Sequence, residues 1–71
     1  MTLLNAQEGI EYIVKSITTE VDELEAFLFS LGCDAGEPIT VISHKKGSCV
    51  VSIKDSRYSI DNGLADSISV E

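Results

Sequence analysis

Several residue types are scarce in this sequence, and each scarcity excludes a class of protein. There is no tryptophan and there are only two tyrosines, whereas the proline-peptide grooves of SH3 domains are lined by aromatic side chains. The chain has five Lys and Arg residues and twelve Asp and Glu residues, which gives a net charge of −7. Such a charge repels nucleic-acid phosphates and anionic lipids. The longest unbroken apolar run, residues 26–29, is far below the ~20 residues that a membrane-spanning helix requires.

No arrangement of side chains typical of catalysis is found either. His44 is the single histidine, and neither a nucleophile elbow nor a phosphate-binding glycine loop accompanies it. Acidic pairs such as Glu23 and Glu25 are more typical of a solvated surface than of general acid–base catalysis. The sequence therefore predicts a protein that is not an enzyme and has no catalytic residues.

The amino terminus and the cysteines indicate the compartment. The first residues contain no basic segment and no apolar stretch of the kind that signal peptides carry, so we expect a cytoplasmic protein. In a reducing cytosol the two cysteines, Cys33 and Cys49, should stay unpaired. We interpret both as small core residues.

The size and composition predict one folded domain over residues 1–71. The chain is 44% hydrophobic and 24% charged, which is typical of globular proteins. Since a chain of 71 residues cannot be divided into two cores, all elements must share one.

Five segments have the β-branched composition and alternation of strands. They are residues 9–17, 39–44, 49–54, 58–60 and 68–70. The imperfect alternation of the first segment indicates either a bulge or a frayed end, and turns are expected at 45–48, 55–56 and 62–63. A single helical turn is expected before the last strand.

One amphipathic helix is predicted over residues 20–31, between the first two strands. We expect Thr19 to cap its start and Gly32 to end it in the left-handed conformation. An apolar stripe with helical spacing should pack on the core, formed by Val21, Leu24, Leu28 and Leu31. Phe29 lies off that stripe, and it either covers the rim of the β-barrel that the strands are expected to form or faces a partner.

Five short strands and one helix inserted after the first strand predict a mainly β protein. A small, partly closed antiparallel barrel of the SH3-like kind is the simplest arrangement, because closure covers strand edges that so short a chain could not otherwise protect.

Metal binding is an alternative function that the residues leave open. Cys33, His44 and Cys49 include soft and borderline ligands for Zn²⁺ or Fe²⁺. Their spacing lacks the short Cys-x2–4-Cys pair that structural zinc sites generally contain. Packing in the core is therefore the preferred interpretation for the cysteines, and no cofactor is expected.

The order of these pieces resembles the FeoA family of small bacterial proteins of ferrous iron transport. The most specific parts are the segment from Leu31-Gly32 to Gly36 and the ending Ala65-x-x-Ile68-x-Val70. The resemblance covers nearly the whole chain. It differs in surface charge, since Glu23 and Glu25 stand where members of that family often carry arginine.

That resemblance implies an SH3-like, non-enzymatic cytoplasmic protein that assists ferrous iron uptake. Its implied partner is the cytosolic GTP-binding domain of the membrane ferrous iron transporter, bound by a monomer through the helix and the following turn. Phe29, Cys33 and Asp34 are the candidate contact residues there. The alternatives are a metal-sensing module that uses Cys33, His44 and Cys49, and an SH3-like regulatory domain of the repressor type.

Overall fold

The computed structural model describes residues 1–71 and contains five strands and two α-helices. They follow a 3-10 turn at Leu3–Asn5, in the order β1 Glu11–Ile17, α1 Asp22–Ser30, β2 Pro38–Lys45, β3 Ser48–Ile53, β4 Ser56–Asp61, α2 Asn62–Ser67 and β5 Ile68–Val70. All strand pairs are antiparallel, in the sheet order β4-β3-β2-β1-β5. The mainly β architecture, with one helix after the first strand, is confirmed.

Two irregularities bend the sheet. The register of β1 against β5 shifts between Val14 and Ser16, and that of β2 against β3 shifts between Val41 and Ser43. Such bulges increase the local twist and let a short sheet curl around its core. Of the two alternatives predicted for the first strand, a bulge or a frayed end, the structure shows a bulge.

The core is entirely apolar. Its fifteen buried residues include no polar or charged side chain. They come from every strand, from both α-helices and from the amino-terminal segment: Leu3, Ala6, Val14, Leu28, Cys33, Ile39, Val41, Cys49, Val51, Ile53, Ile60, Leu64, Ala65, Ile68 and Val70. Both cysteines are free and fully buried, which confirms that they pack as small core residues.

Helix α1 begins later than predicted, and Thr19 does not cap it. The Thr19 hydroxyl accepts a hydrogen bond from the Val21 N–H at 3.2 Å, two residues ahead. This local turn competes with helix formation. Val21 occupies the cap position without a side-chain hydrogen bond, so the helix starts at Asp22. The predicted start at residue 20 was wrong.

Two backbone hydrogen bonds fix the end of α1, where Gly32 ends the helix in the left-handed conformation as predicted. Gly32 has φ +92°, its N–H donates to the Phe29 carbonyl at 2.9 Å, and the Cys33 N–H donates to the Leu28 carbonyl at 3.0 Å. This is a Schellman motif. A Cβ on Gly32 would lie 2.8 Å from Cε of Lys54, but that flexible side chain can move, so the positive φ is the reason that glycine is favoured here.

The two turns around β4 differ from the predictions. Ile53 pairs with Ser56, so the hairpin turn is Lys54–Asp55, one residue earlier than expected. Both turn residues have positive φ, at +49° and +67°, as the two-residue turns that match the strand twist require. Residues 62–63 begin α2 and do not form a separate turn, because Oδ1 of Asp61 accepts from the Leu64 N–H at 2.8 Å and caps the helix.

Neither α-helix combines the length and the hydropathy that crossing a membrane demands.

Candidate protein-interaction surface

Helix α1 is only weakly covered by the rest of the molecule. Leu28 is its single buried residue, 1% exposed, although the predicted stripe also included Val21 and Leu24. Four large apolar side chains of this region are exposed by 38–46%: Val21, Leu24, Phe27 and Phe29. The prediction that the stripe packs on the core was therefore wrong for Val21 and Leu24, whereas Leu31 is partly buried and packs against the core.

The exposed side chains lie on two different sides of α1. Leu24 and Phe27 are three residues apart and therefore adjacent on the helix surface, with Val21 at their amino-terminal end. We call Val21, Leu24 and Phe27 the apolar ridge. Phe29 lies about 160° around the helix from Phe27, at ~100° per residue. Its neighbours one and two turns earlier are Glu25 and Asp22, so its side of the helix is acidic.

Negative charge is concentrated in the same part of the chain. Residues 16–44 contain no Lys or Arg. Their acidic residues are Glu20, Asp22, Glu23, Glu25, Asp34 and Glu37. This segment therefore carries six of the seven net negative charges, while the acidic and basic residues elsewhere nearly balance.

Of the three predicted contact residues, two are accessible and one is not. Phe29 is 45% exposed, so it is not packed beneath other residues, and its contact with a partner stays a prediction. Asp34 is exposed in the turn after α1. Cys33 is fully buried beside Leu28 in the core, so a partner could not contact its side chain. Burial, reinforced by the charge of Asp34, raises the pKa of the Cys33 thiol to about 11.

The structure does not bring Cys33, His44 and Cys49 together as metal ligands. No three His, Cys, Asp or Glu side chains form a group that could hold a metal ion. Nε2 of His44 lies 2.8 Å from the carbonyl oxygen of Ala6 and must donate to it, since a carbonyl only accepts. Burial also raises the pKa of the Cys49 thiol, which disfavours the thiolate that metals bind.

Comparison with known proteins identifies the family. Residues 1–71 match the FeoA domain. The chain belongs to the FeoA family. A relative from Methanocaldococcus jannaschii, whose name gives it as an Fe(2+) transport protein A, is 38% identical over 66 residues, covering 93% of this chain and 79% of the relative.

Two solved structures share the fold of this FeoA family member. A crystal structure of an iron uptake regulatory protein, FeoA, is 27% identical with a TM-score of 0.86, covering 99% of this chain and 92% of the other. The second is the zinc complex of Stenotrophomonas maltophilia FeoA, which is described as a prokaryotic SH3 domain protein. It is 20% identical with a TM-score of 0.89, and the match covers 100% of this chain and 89% of the other. The predicted resemblance to the family and the SH3-like fold are confirmed.

A polar depression of about 260 Å³ lies on the sheet of this FeoA family member, close to the turn after α1. Its lining contains no His or Cys and no hydrophobic residue: Glu11, Glu37, Pro38, Thr40, Ser52, Lys54 and Asp55. Nζ of Lys54 lies 3.2 Å from Oε2 of Glu37, and this ion pair connects the hairpin turn to the segment that follows the helix. The depression is an open polar surface without a catalytic arrangement.

Phe27 is the residue of this surface that the sequence analysis missed. A signal for it exists in the run Ala26-Phe27-Leu28-Phe29. Phe27 and Phe29 lie on nearly opposite sides of a helix and Leu28 lies between them. A short helix that buries Leu28 cannot bury both aromatic rings, so at least one had to be exposed.

Proposed function

We propose that this FeoA family member is a non-enzymatic accessory protein of ferrous iron uptake. It acts in the cytoplasm by binding the cytosolic GTP-binding domain of the membrane ferrous iron transporter, and Fe²⁺ is the substrate of that transporter. The observation that carries the proposal is the exposed apolar surface of α1, on a molecule whose strands and second helix have no exposed large hydrophobic residue.

An exposed apolar surface of this kind supports a binding role. Single exposed apolar residues are normal, but several on one short helix mark an interaction site. Residues 21–29 contribute four of the six exposed large hydrophobics of the chain. Covering them in a complex would remove apolar area from water, at roughly 25 cal/mol per Å² before the costs of association.

The binding surface extends from α1 to the turn that follows it. Phe29 and Asp34 remain candidate contacts because both are accessible, whereas Cys33 supports the surface from the core. The acidic character of residues 16–44 favours a partner surface that carries Lys and Arg. Binding should then weaken as the salt concentration rises, since salt screens exposed charges.

The proposal is tested by isothermal titration calorimetry with purified wild-type protein. The titrants are the isolated GTP-binding domain of the cognate transporter and the whole transporter in lipid nanodiscs. We expect a saturable complex with both, and a loss of affinity of at least about tenfold for the double variant Phe27→Ala/Phe29→Ala.

Ile10→Ala provides the matched control. Ile10 is 45% exposed, like Phe29, but it lies before β1 and outside the helix. Its truncation should leave the affinity within about twofold of wild type. The proposal fails if the wild-type protein binds neither the isolated domain nor the whole transporter.

A further inference from the structure

We propose that the apolar ridge of Val21, Leu24 and Phe27 carries most of the docking affinity. It lies in an apolar groove of the partner, and the rim of that groove carries Lys or Arg side chains that face Glu20 and Glu23. This inference rests on the proposed function and names the surface that performs it.

The ridge is favoured over Phe29 because its apolar surface is continuous. Its side chains follow one another at steps of three residues, the spacing at which neighbours on a helix touch, and they are exposed by 46%, 38% and 46%. Phe29 is equally exposed but lies beside the carboxylates of Asp22 and Glu25. A carboxylate lies one turn before each ring, Glu23 before Phe27 and Glu25 before Phe29, so the apolar neighbour Leu24 is what distinguishes the side of Phe27.

The ridge is held ready for binding by the residues beneath it. Leu28 is buried against the barrel, and the hydrogen bonds of Gly32 and Cys33 fix the last turn of the helix. Leu24 lies four residues before Leu28, so the ridge continues the anchored face of the helix beyond the part that the core covers. A surface that is already ordered loses little further conformational freedom on binding, and this favours affinity.

The charges beside the ridge identify the kind of partner. Glu20 and Glu23 are exposed. Glu23 lies four residues before Phe27 on α1 and therefore beside it, and Glu20 directly precedes Val21 at the start of the ridge. A second copy of this chain is a poor occupant, because residues 16–44 contain no Lys or Arg and paired helices would place like charges together. A protein groove with a basic rim complements both the apolar and the acidic side chains.

The geometry corresponds to a helix lying in a groove, with anchors separated by three or four residues. From Val21 to Phe27 the ridge is about 9 Å long, at ~1.5 Å per residue. The contact is therefore short, and one aromatic anchor should dominate it. Phe27 is the aromatic residue of the ridge.

Phe27→Ala and Phe29→Ala form a matched pair that tests the inference. The two residues have the same type, the same helix and exposures of 46% and 45%, but they lie on opposite sides. Titrations with the GTP-binding domain of the transporter should show about thirty-fold weaker binding for Phe27→Ala and less than about threefold for Phe29→Ala. Leu24→Ala should fall between them.

A second matched pair tests the basic rim. Removing two charges beside the ridge, in Glu20→Gln/Glu23→Gln, should slow association and flatten the salt dependence of the affinity. Asp66→Asn/Glu71→Gln removes the same net charge from exposed residues outside the segment 16–44, and it should leave the association rate nearly unchanged. Urea unfolding of each variant shows whether it remains folded.

Three results would overturn the inference. Equal losses for Phe27→Ala and Phe29→Ala, with wild-type binding intact, would reject the ridge while leaving the proposed function standing. Sedimentation of the wild type as a dimer that Phe27→Ala dissociates would show that a second copy covers the ridge. Absence of wild-type binding to the domain and to the whole transporter would reject both proposals together.

Discussion

Strand β3 and helix α1 differ in how much of their apolar side chains is buried. β3 buries Cys49, Val51 and Ile53, which alternate with half-buried residues, while α1 buries Leu28 and leaves Leu24 and both of its phenylalanines exposed. The strand has neighbours on both sides, β2 and β4, whereas the helix lies outside the sheet. The sheet therefore supplies most of the buried core, whereas most of the large apolar side chains of the helix are left exposed.

Charge divides the molecule in the same way. The segment from residue 16 to residue 44 holds six acidic and no basic residues, while residues 45–71 hold four acidic and four basic residues. Long-range attraction to a basic partner would thus orient the helix side of the molecule toward it. The part with the exposed apolar surface and the part with the excess charge coincide, as a docking element requires.

The largest expected effect comes from a pair of leucines on α1. Leu28→Ala should lower the free energy of unfolding by about 3 kcal/mol, through lost burial and the cavity left behind. Leu24→Ala removes the same atoms from a residue that is 38% exposed, and should lower it by less than about 1 kcal/mol. Urea unfolding followed by circular dichroism measures both. Equal losses would show that the helix contributes to the core throughout.

A smaller effect is expected at high pH, and it comes from the buried thiol of Cys33 in the turn after α1. Its pKa is raised from 9.0 to about 11 by burial and by Asp34, so the folded state retains a proton that the unfolded chain releases above pH 9. The contribution of this thiol to the free energy of unfolding is therefore fully present below pH 9, and it decreases as the pH rises to about 11. By pH 10 the loss should be roughly 1 kcal/mol.

Cys33→Ala is the control for this pH dependence, because other groups also titrate in that range. Unfolding free energies of wild type and variant are compared at pH 7, 9 and 10. The difference between them should shrink as the pH rises. A constant difference across the three pH values would contradict the assignment to Cys33.

The smallest effect concerns the hairpin turn at the tip of the barrel. Asp55 has φ +67°, a conformation that costs non-glycine residues more than glycine. Asp55→Gly should therefore raise the free energy of unfolding by a few tenths of a kcal/mol to about 1 kcal/mol. Part of this gain is offset because glycine gives the unfolded chain more conformational entropy. The opposite change in the other hairpin, Gly47→Ala at φ +84°, should destabilise. A loss of stability in Asp55→Gly would indicate that the Asp55 side chain makes a compensating contact.

Local signals predicted most of the fold. The strands, the bulge in β1 and the left-handed Gly32 followed from alternation and residue type, which act within a few neighbours in the chain. The errors fell at element ends, where two local options compete. At Thr19 a hydroxyl turn replaced a helix cap, and at Asp55 the pairing of Ile53 with Ser56 moved the turn by one residue.

The candidate surface could be predicted only in part. Phe29 was singled out because it departs from the apolar stripe, but Phe27 was missed and Cys33 was placed on the surface although it is buried. Apolar periodicity shows which residues share a helix face. It does not show how much of that face another element covers.

The sequence by itself determined that this chain has a small apolar core, an acidic segment around one helix and the elements of an SH3-like barrel, because composition and periodicity depend only on the order of residues. Only the tertiary structure decided that Leu28 is the one buried residue of α1, that Val21, Leu24 and Phe27 remain exposed, and that Cys33, His44 and Cys49 do not form a group of metal ligands. Those outcomes depend on distances between segments far apart in the chain, which packing sets.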